Sequence, residues 1–123
     1  MTTMDGALES VLDAYVQAWN EPDAGYRRAL LERSLSDDCV FEGPLGALIG
    51  RDAVDRLIVA MQDRMPGTNI VRVGAPEQGE EVAFRWEVRT SAGERLMSGV
   101  DTVSVAGDGR LRKIVLVADP ATR

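Results

Sequence analysis

Hydrophobic spacing divides the chain into a half with a helical period and a half with a period of two. Leu8, Val11, Leu12, Tyr15, Val16 and Trp19 fall on one helical face, which predicts a first helix over residues 5–20, ended by Pro22. A second helix, over 23–35, is expected to turn Tyr26, Leu30 and Leu31 inward and to leave Arg27, Arg28, Glu32 and Arg33 in water. A Ser36-Asp37-Asp38 turn should stop it. Cys39-Val40-Phe41-Glu42 reads as a short strand broken by Gly43-Pro44 and Gly46. The third helix follows Gly50, with Asp52 as its cap, Val54, Leu57, Ile58 and Met61 as its stripe, and Pro66-Gly67 as its end. Beyond Gly67, strands are predicted over 68–75, 81–90, 95–105 and 110–117, joined by turns short enough for an antiparallel meander.

Three helices, a short strand and a meander make an α+β plan, with the helices packed on one face of a curved, mainly antiparallel sheet. The expected core is Leu12, Val16, Leu57, Phe84, Trp86, Val103, Val105 and Ile114. A chain of 123 residues with 45% hydrophobic content supports one domain, 1–123, with one core and a modest cavity.

Charge and composition remove several function classes. The net charge is −6 and no Lys/Arg run exceeds Arg27-Arg28, so nucleic acid is not an expected partner. No apolar run is long enough to span a membrane. The first residues lack the basic start and apolar stretch of a secretion signal, which leaves the cytoplasm as the expected location. A single cysteine, Cys39, excludes an internal disulfide and reads as a small core residue. The absence of histidine removes Ser-His and Cys-His catalytic pairs and the usual zinc and iron sites, so no metal or cofactor is expected. Any acid–base chemistry falls to carboxylates, tyrosine, lysine or water.

One carboxylate stands out. Within Leu96-Met97-Ser98-Gly99-Val100-Asp101-Thr102-Val103-Ser104-Val105, Asp101 shares its face with Met97, Val103 and Val105. Strands disfavour aspartate, and a core face disfavours it further. Burial penalises the ionised form, so such an acid is either tied to donors such as Tyr15, Trp19 or a backbone amide, or poised to hold or pass a proton. In the preceding strand Val82, Phe84, Trp86 and Val88 alternate with the charged row Ala83-Arg85-Glu87-Arg89, which puts the aromatics inside. Trp19, Trp86 and the methionines Met61, Met65 and Met97 are core or pocket wall.

The order of elements, with Tyr15-Val16-Gln17-Ala18-Trp19-Asn20, Ser36-Asp37-Asp38-Cys39-Val40-Phe41, Gly43-Pro44-Leu45-Gly46, Gly50-Arg51-Asp52-Ala53 and Gly99-Val100-Asp101, resembles the SnoaL-like, nuclear-transport-factor-two-like superfamily over 8–117. The resemblance implies a cone-shaped fold with an apolar pocket, commonly in a homodimer, and no single activity, since the superfamily mixes isomerases, cyclases, hydrolases and binding modules. Its ketosteroid isomerases hold a neutral carboxylic acid in an apolar site. By that analogy Tyr15 matches the tyrosine that donates to the developing oxyanion and Asp101 matches the neutral acid, but the general base before Pro-x-Gly is Gly43 here. Strand alternation turns Glu42 away from the pocket, so no substitute is expected and efficient ketosteroid isomerisation is not either. Asp101 and Tyr15 are the candidate catalytic pair, and Trp19, Phe41, Gly43, Leu57, Met61, Phe84 and Trp86 the candidate pocket wall. The resemblance implies a small apolar carbonyl or polyketide-like ligand, acted on by an isomerase- or cyclase-type enzyme or held by a non-catalytic binding or dimerisation module. Val100, Leu111, Val115 and Val117 are the expected outer-face contacts of the homodimer.

Overall fold

A computed structural model describes residues 6–44 and 46–119. Helices α1 (Gly6–Asn20) and α2 (Ala24–Ser34) precede strands β1 (Leu35–Gly43) and β2 (Gly46–Ile49). Helix α3 (Arg51–Arg64) leads into β3 (Thr68–Gln78), β4 (Val82–Thr90), β5 (Arg95–Val105) and β6 (Leu111–Ala118). The strands form one curved sheet in the order β2-β1-β6-β5-β4-β3, in which β1 and β6 run parallel and the other neighbours antiparallel. The α+β plan therefore holds. The expected first helical residue, Asp5, lies outside the described residues, as does Leu45 of the Gly43–Gly46 turn.

The inner face of the sheet and two helices make the core. Phe84 and Trp86 of β4, Val103 of β5, Ile114 of β6 and Phe41 of β1 are buried against Leu12, Tyr15 and Ala18 of α1 and Val54 and Ile58 of α3. Register shifts in the β3–β4, β4–β5, β5–β6 and β1–β6 pairings bend the strands. That curvature lets one sheet face wrap a helix. Side chains tie α1 down at its end: Asn20 both donates to the Ile70 carbonyl at 2.8 Å and accepts from the Ile70 N–H at 2.7 Å. Gln62 of α3 donates to the Trp19 and Glu21 carbonyls at 3.1 and 3.0 Å, satisfying groups the helix end leaves free.

The structure corrects several expectations. Helix α2 is rotated: Tyr26 is 70% exposed, whereas Arg27 is buried with Leu31 and Ser34 on the inner face. The Arg27 guanidinium is tolerated there because it pairs with Asp55 of α3 and donates to the Glu21 and Pro22 carbonyls. Ser36-Asp37-Asp38 is no turn but lies within β1, where a register shift against β6 between Leu35 and Val40 uses the same turn-prone residues as a bulge. Gly43 and Gly46 do not merely break a strand; they close a hairpin into β2. Asp52 is not the cap of α3. Gly50 holds that position at φ 91°, a conformation that favours glycine, and its N–H reaches the Cys39 carbonyl at 2.8 Å. Strand β3 runs on to Gln78, past the expected end at Ala75. Val105 is 38% exposed because the β5–β6 register shifts beside it, Val16 and Leu57 are half-buried, and Leu111 is fully buried rather than on the outer face. Among the described residues no helix is long and apolar enough to cross a membrane.

The Arg27–Asp55 pair is the main polar link between α2 and α3, so Arg27→Ala should destabilise the protein by about 2–4 kcal/mol, leaving Asp55 unpaired in a partly buried site. Arg28→Ala should cost less than about 0.5 kcal/mol, since its nearest carboxylate, Asp52, is 3.9 Å away in open solvent. Urea denaturation of the two variants checks the difference.

Candidate functional site

Between α1, α3, the β1–β2 hairpin and the sheet lies an apolar cavity of about 490 Å³. Phe84, Trp86 and Asp101 form its floor; Tyr15 and Trp19 line it from α1, Leu57 and Met61 from α3, and Phe41 and Gly43 from β1. All nine residues singled out in the sequence thus border one cavity. Met97 joins them, whereas Met65 lines a neighbouring space of about 240 Å³. Leu48 of β2, Ile70, Leu116 and Arg56 also line the main cavity and were not anticipated. The two-residue period could have found Leu116, which sits opposite Asp101 in the β5–β6 ladder. Leu48 belongs to a strand the sequence did not reveal.

The floor depends on a glycine. Gly99 is the direct partner of Trp86 across the β4–β5 ladder. A Cβ at Gly99 would lie 2.4 Å from the indole Cζ2 and 2.5 Å from the Val117 carbonyl oxygen. Without one, the ring lies across β5, and its Nε1–H donates to Asp101 Oδ1 at 2.9 Å, two residues along the same face. Trp86 therefore takes the donor role for which Tyr15, Trp19 and the backbone were candidates.

Asp101 is 4% exposed, and burial pushes its carboxyl up to about 7, while the indole N–H pulls in the opposite direction. The phenol of Tyr15, 1% exposed, is raised well above its ordinary value by burial and then by the Asp101 charge, so it stays a protonated donor. The Trp19 indole N–H is its one polar neighbour and pulls the value down, but among the described residues nothing is placed to accept the phenol's own proton. A buried, unsatisfied donor is costly and rare, and this one borders a space large enough for a ligand. Gly43 brings no side chain to the cavity. The neighbouring Glu42 is half exposed and turned away, with Lys113 Nζ 3.4 Å from its carboxylate. Among the described residues no group of His, Cys, Asp or Glu side chains is arranged to hold a metal ion.

A curved sheet wrapped on a helix around an apolar cavity, with a carboxyl buried in its floor, defines a cone-shaped α+β fold. The chain belongs to the SnoaL-like domain family, whose model matches residues 12–114. A candidate isomerase of that family from Agrobacterium tumefaciens is 27% identical, with a TM-score of 0.83 over 94% of this chain and 99% of the other. A candidate SnoaL-like polyketide cyclase from Jannaschia is 13% identical, with a TM-score of 0.75 over 97% of this chain and 92% of the other, a likeness of fold alone. The same holds for a de novo designed protein with a curved β-sheet, 17% identical with a TM-score of 0.72 over 96% of this chain and 89% of the other. No curated protein matches the sequence.

Gly99→Ala should cost about 2–3 kcal/mol and move the indole off Asp101, because the added methyl meets both a ring and a backbone oxygen. Thermal unfolding gives the first effect, and a change in tryptophan emission of the still-folded fraction gives the second.

Proposed function

We propose that this protein binds a small, largely apolar carbonyl compound and acts on it as an isomerase- or cyclase-type enzyme through one carboxyl. The observation that carries this reading is the pairing, in one apolar cavity, of the buried Asp101 with the unpartnered Tyr15 hydroxyl. Tyr15 donates to the carbonyl oxygen, where negative charge develops as a neighbouring carbon loses a proton. Asp101 takes that proton and returns it elsewhere on the molecule. A carboxyl near 7 is populated in both protonation states at neutral pH, which suits a group that must accept and then donate.

Gly43 favours a second reading. With no second carboxyl beside Asp101, a two-acid scheme is not available, and positioned proton transfer is typically worth about 10²–10⁴ in rate. The alternative is a non-catalytic module in which Tyr15 and Asp101 orient a ligand. The open cavity supports both readings over a filled cone that serves only association. Native mass spectrometry of the purified protein identifies the ligand, and turnover of that ligand separates enzyme from binder.

Asp101 also sets a pH dependence whose sign follows from its raised value. Between about 4 and about 7 the folded state keeps a proton that the unfolded state has released, so stability falls as pH rises through that window and levels off above it. Asp101→Asn should flatten the profile, gaining about 2 kcal/mol relative to wild type between pH 5 and pH 8, while reducing turnover or ligand affinity. Denaturant titrations at the two pH values check this; an unchanged slope refutes the buried-acid reading.

The proposed assembly is a homodimer through the outer sheet face, supported by the 59% exposed Val117 and by the half-buried Val100 and Val115 beside it. Light scattering at high micromolar concentration should give twice the chain mass, and monomer alone refutes it.

A further inference from the structure

Helix α3 turns two kinds of surface to its surroundings. Leu57 and Met61 face the apolar cavity, while Asp52 and Asp55 border a charged groove on the other side that also includes Arg28, Glu32 and Asp37; Ala53 lies between the two. Arg56 lines both spaces and is solvent-exposed, so it stands on the ridge at the rim of the cavity. It is the one cationic side chain among the described cavity residues.

Arg56 is also idle. Arg27, Arg51, Arg72, Arg85, Arg89 and Arg110 each hold a carboxylate within 3.2 Å. Among the described residues Arg56, like the exposed Arg64 and Arg112, has no ion pair or hydrogen bond, although Asp52 lies one turn earlier at the spacing that commonly pairs on a helix; Arg56 alone of these three borders the cavity. The nearest cation to Asp52 is instead Arg28, at 3.9 Å. Asp55, adjacent in sequence, is taken by Arg27. A chain of net charge −6 repels anions at long range, so an acid enters this cavity only where a local cation offsets that field.

We infer that Arg56 is a specificity residue of the cavity, and that the molecule bound there is an apolar acid whose carboxylate meets Arg56 at the rim while its carbonyl lies at Tyr15 and Asp101. The planar guanidinium presents paired donors that match a carboxylate, and the apolar wall behind it takes the rest of the molecule. This rests on the proposed reading of the cavity as a carbonyl site and adds the charge of the ligand to it.

The experiment compares naphthoylpropionic acid, an aryl ketone with a short carboxylate chain, with its methyl ester. Both tryptophans, Trp19 and Trp86, line the cavity, so quenching of their emission reports binding directly. The wild type should bind the acid about threefold to tenfold more tightly than the ester in low salt, with the preference shrinking in high salt. Arg56→Gln should bring the acid-to-ester affinity ratio to about one, and Arg56→Lys should retain part of the preference. Circular dichroism verifies that both variants are folded. A wild type without preference for the acid, a preference that survives in Arg56→Gln, or no saturable binding of the acid at all overturns the inference. Asp101→Asn separates the two levels: if it leaves both affinities untouched the carbonyl reading fails, whereas the acid-to-ester ratio still judges Arg56.

Discussion

The structure turns on the cost of keeping a carboxyl out of water. Asp101 sits on the floor of an apolar cavity with a single donor, the indole of Trp86, and that donor reaches it only because Gly99 leaves the ring room to lie across the neighbouring strand. One neutral N–H does not offset the loss of hydration around a full negative charge, so the acid is driven toward its protonated form. Everything that bends the sheet around this floor also sets how dry the acid is.

Curvature and anchoring therefore set the surroundings of Asp101 and Tyr15. Register shifts bend the long strands, and the bent sheet closes on α1, which is pinned by Asn20 to β3 and by Gln62 to α3. This places Tyr15 over the floor with nothing to accept its proton. A fully packed core would have given that hydroxyl a partner or excluded it. An unpaired donor and a poorly solvated acid on facing elements are a loss to folding, and the proposed carbonyl ligand would offset that loss. Fold alone does not say which ligand uses them, since the same architecture is found in a designed protein.

The cavity divides its polar groups by depth. Tyr15 and Asp101 are buried, where hydrogen bonds are strong and directional, and Arg56 stays at the wet rim, where a cation remains charged without a buried partner. This gradient from dry donor to solvated charge is what the proposed binding of an apolar acid draws on.

Much of the fold and of the cavity wall was legible in the chain. The change from a helical period to a period of two marks the three helices and the four long strands, and the face shared by Asp101 and Val103 marks a buried acid without reference to any tertiary contact. These features are local: a repeat of apolar positions selects an element and its inner face whatever lies opposite. Arg27 and Tyr26 went the other way, because a guanidinium can be buried only if a carboxylate from another helix arrives to meet it, and no pattern within α2 encodes Asp55. For the same reason the Ser36-Asp37-Asp38 bulge, the β1–β6 parallel pairing and the reach of Trp86 over Gly99 to Asp101 are decisions of the tertiary structure. The sequence by itself determined which residues would face inward from each well-patterned element; the packing of those elements against one another decided which inward polar groups found partners, and so left Tyr15 free.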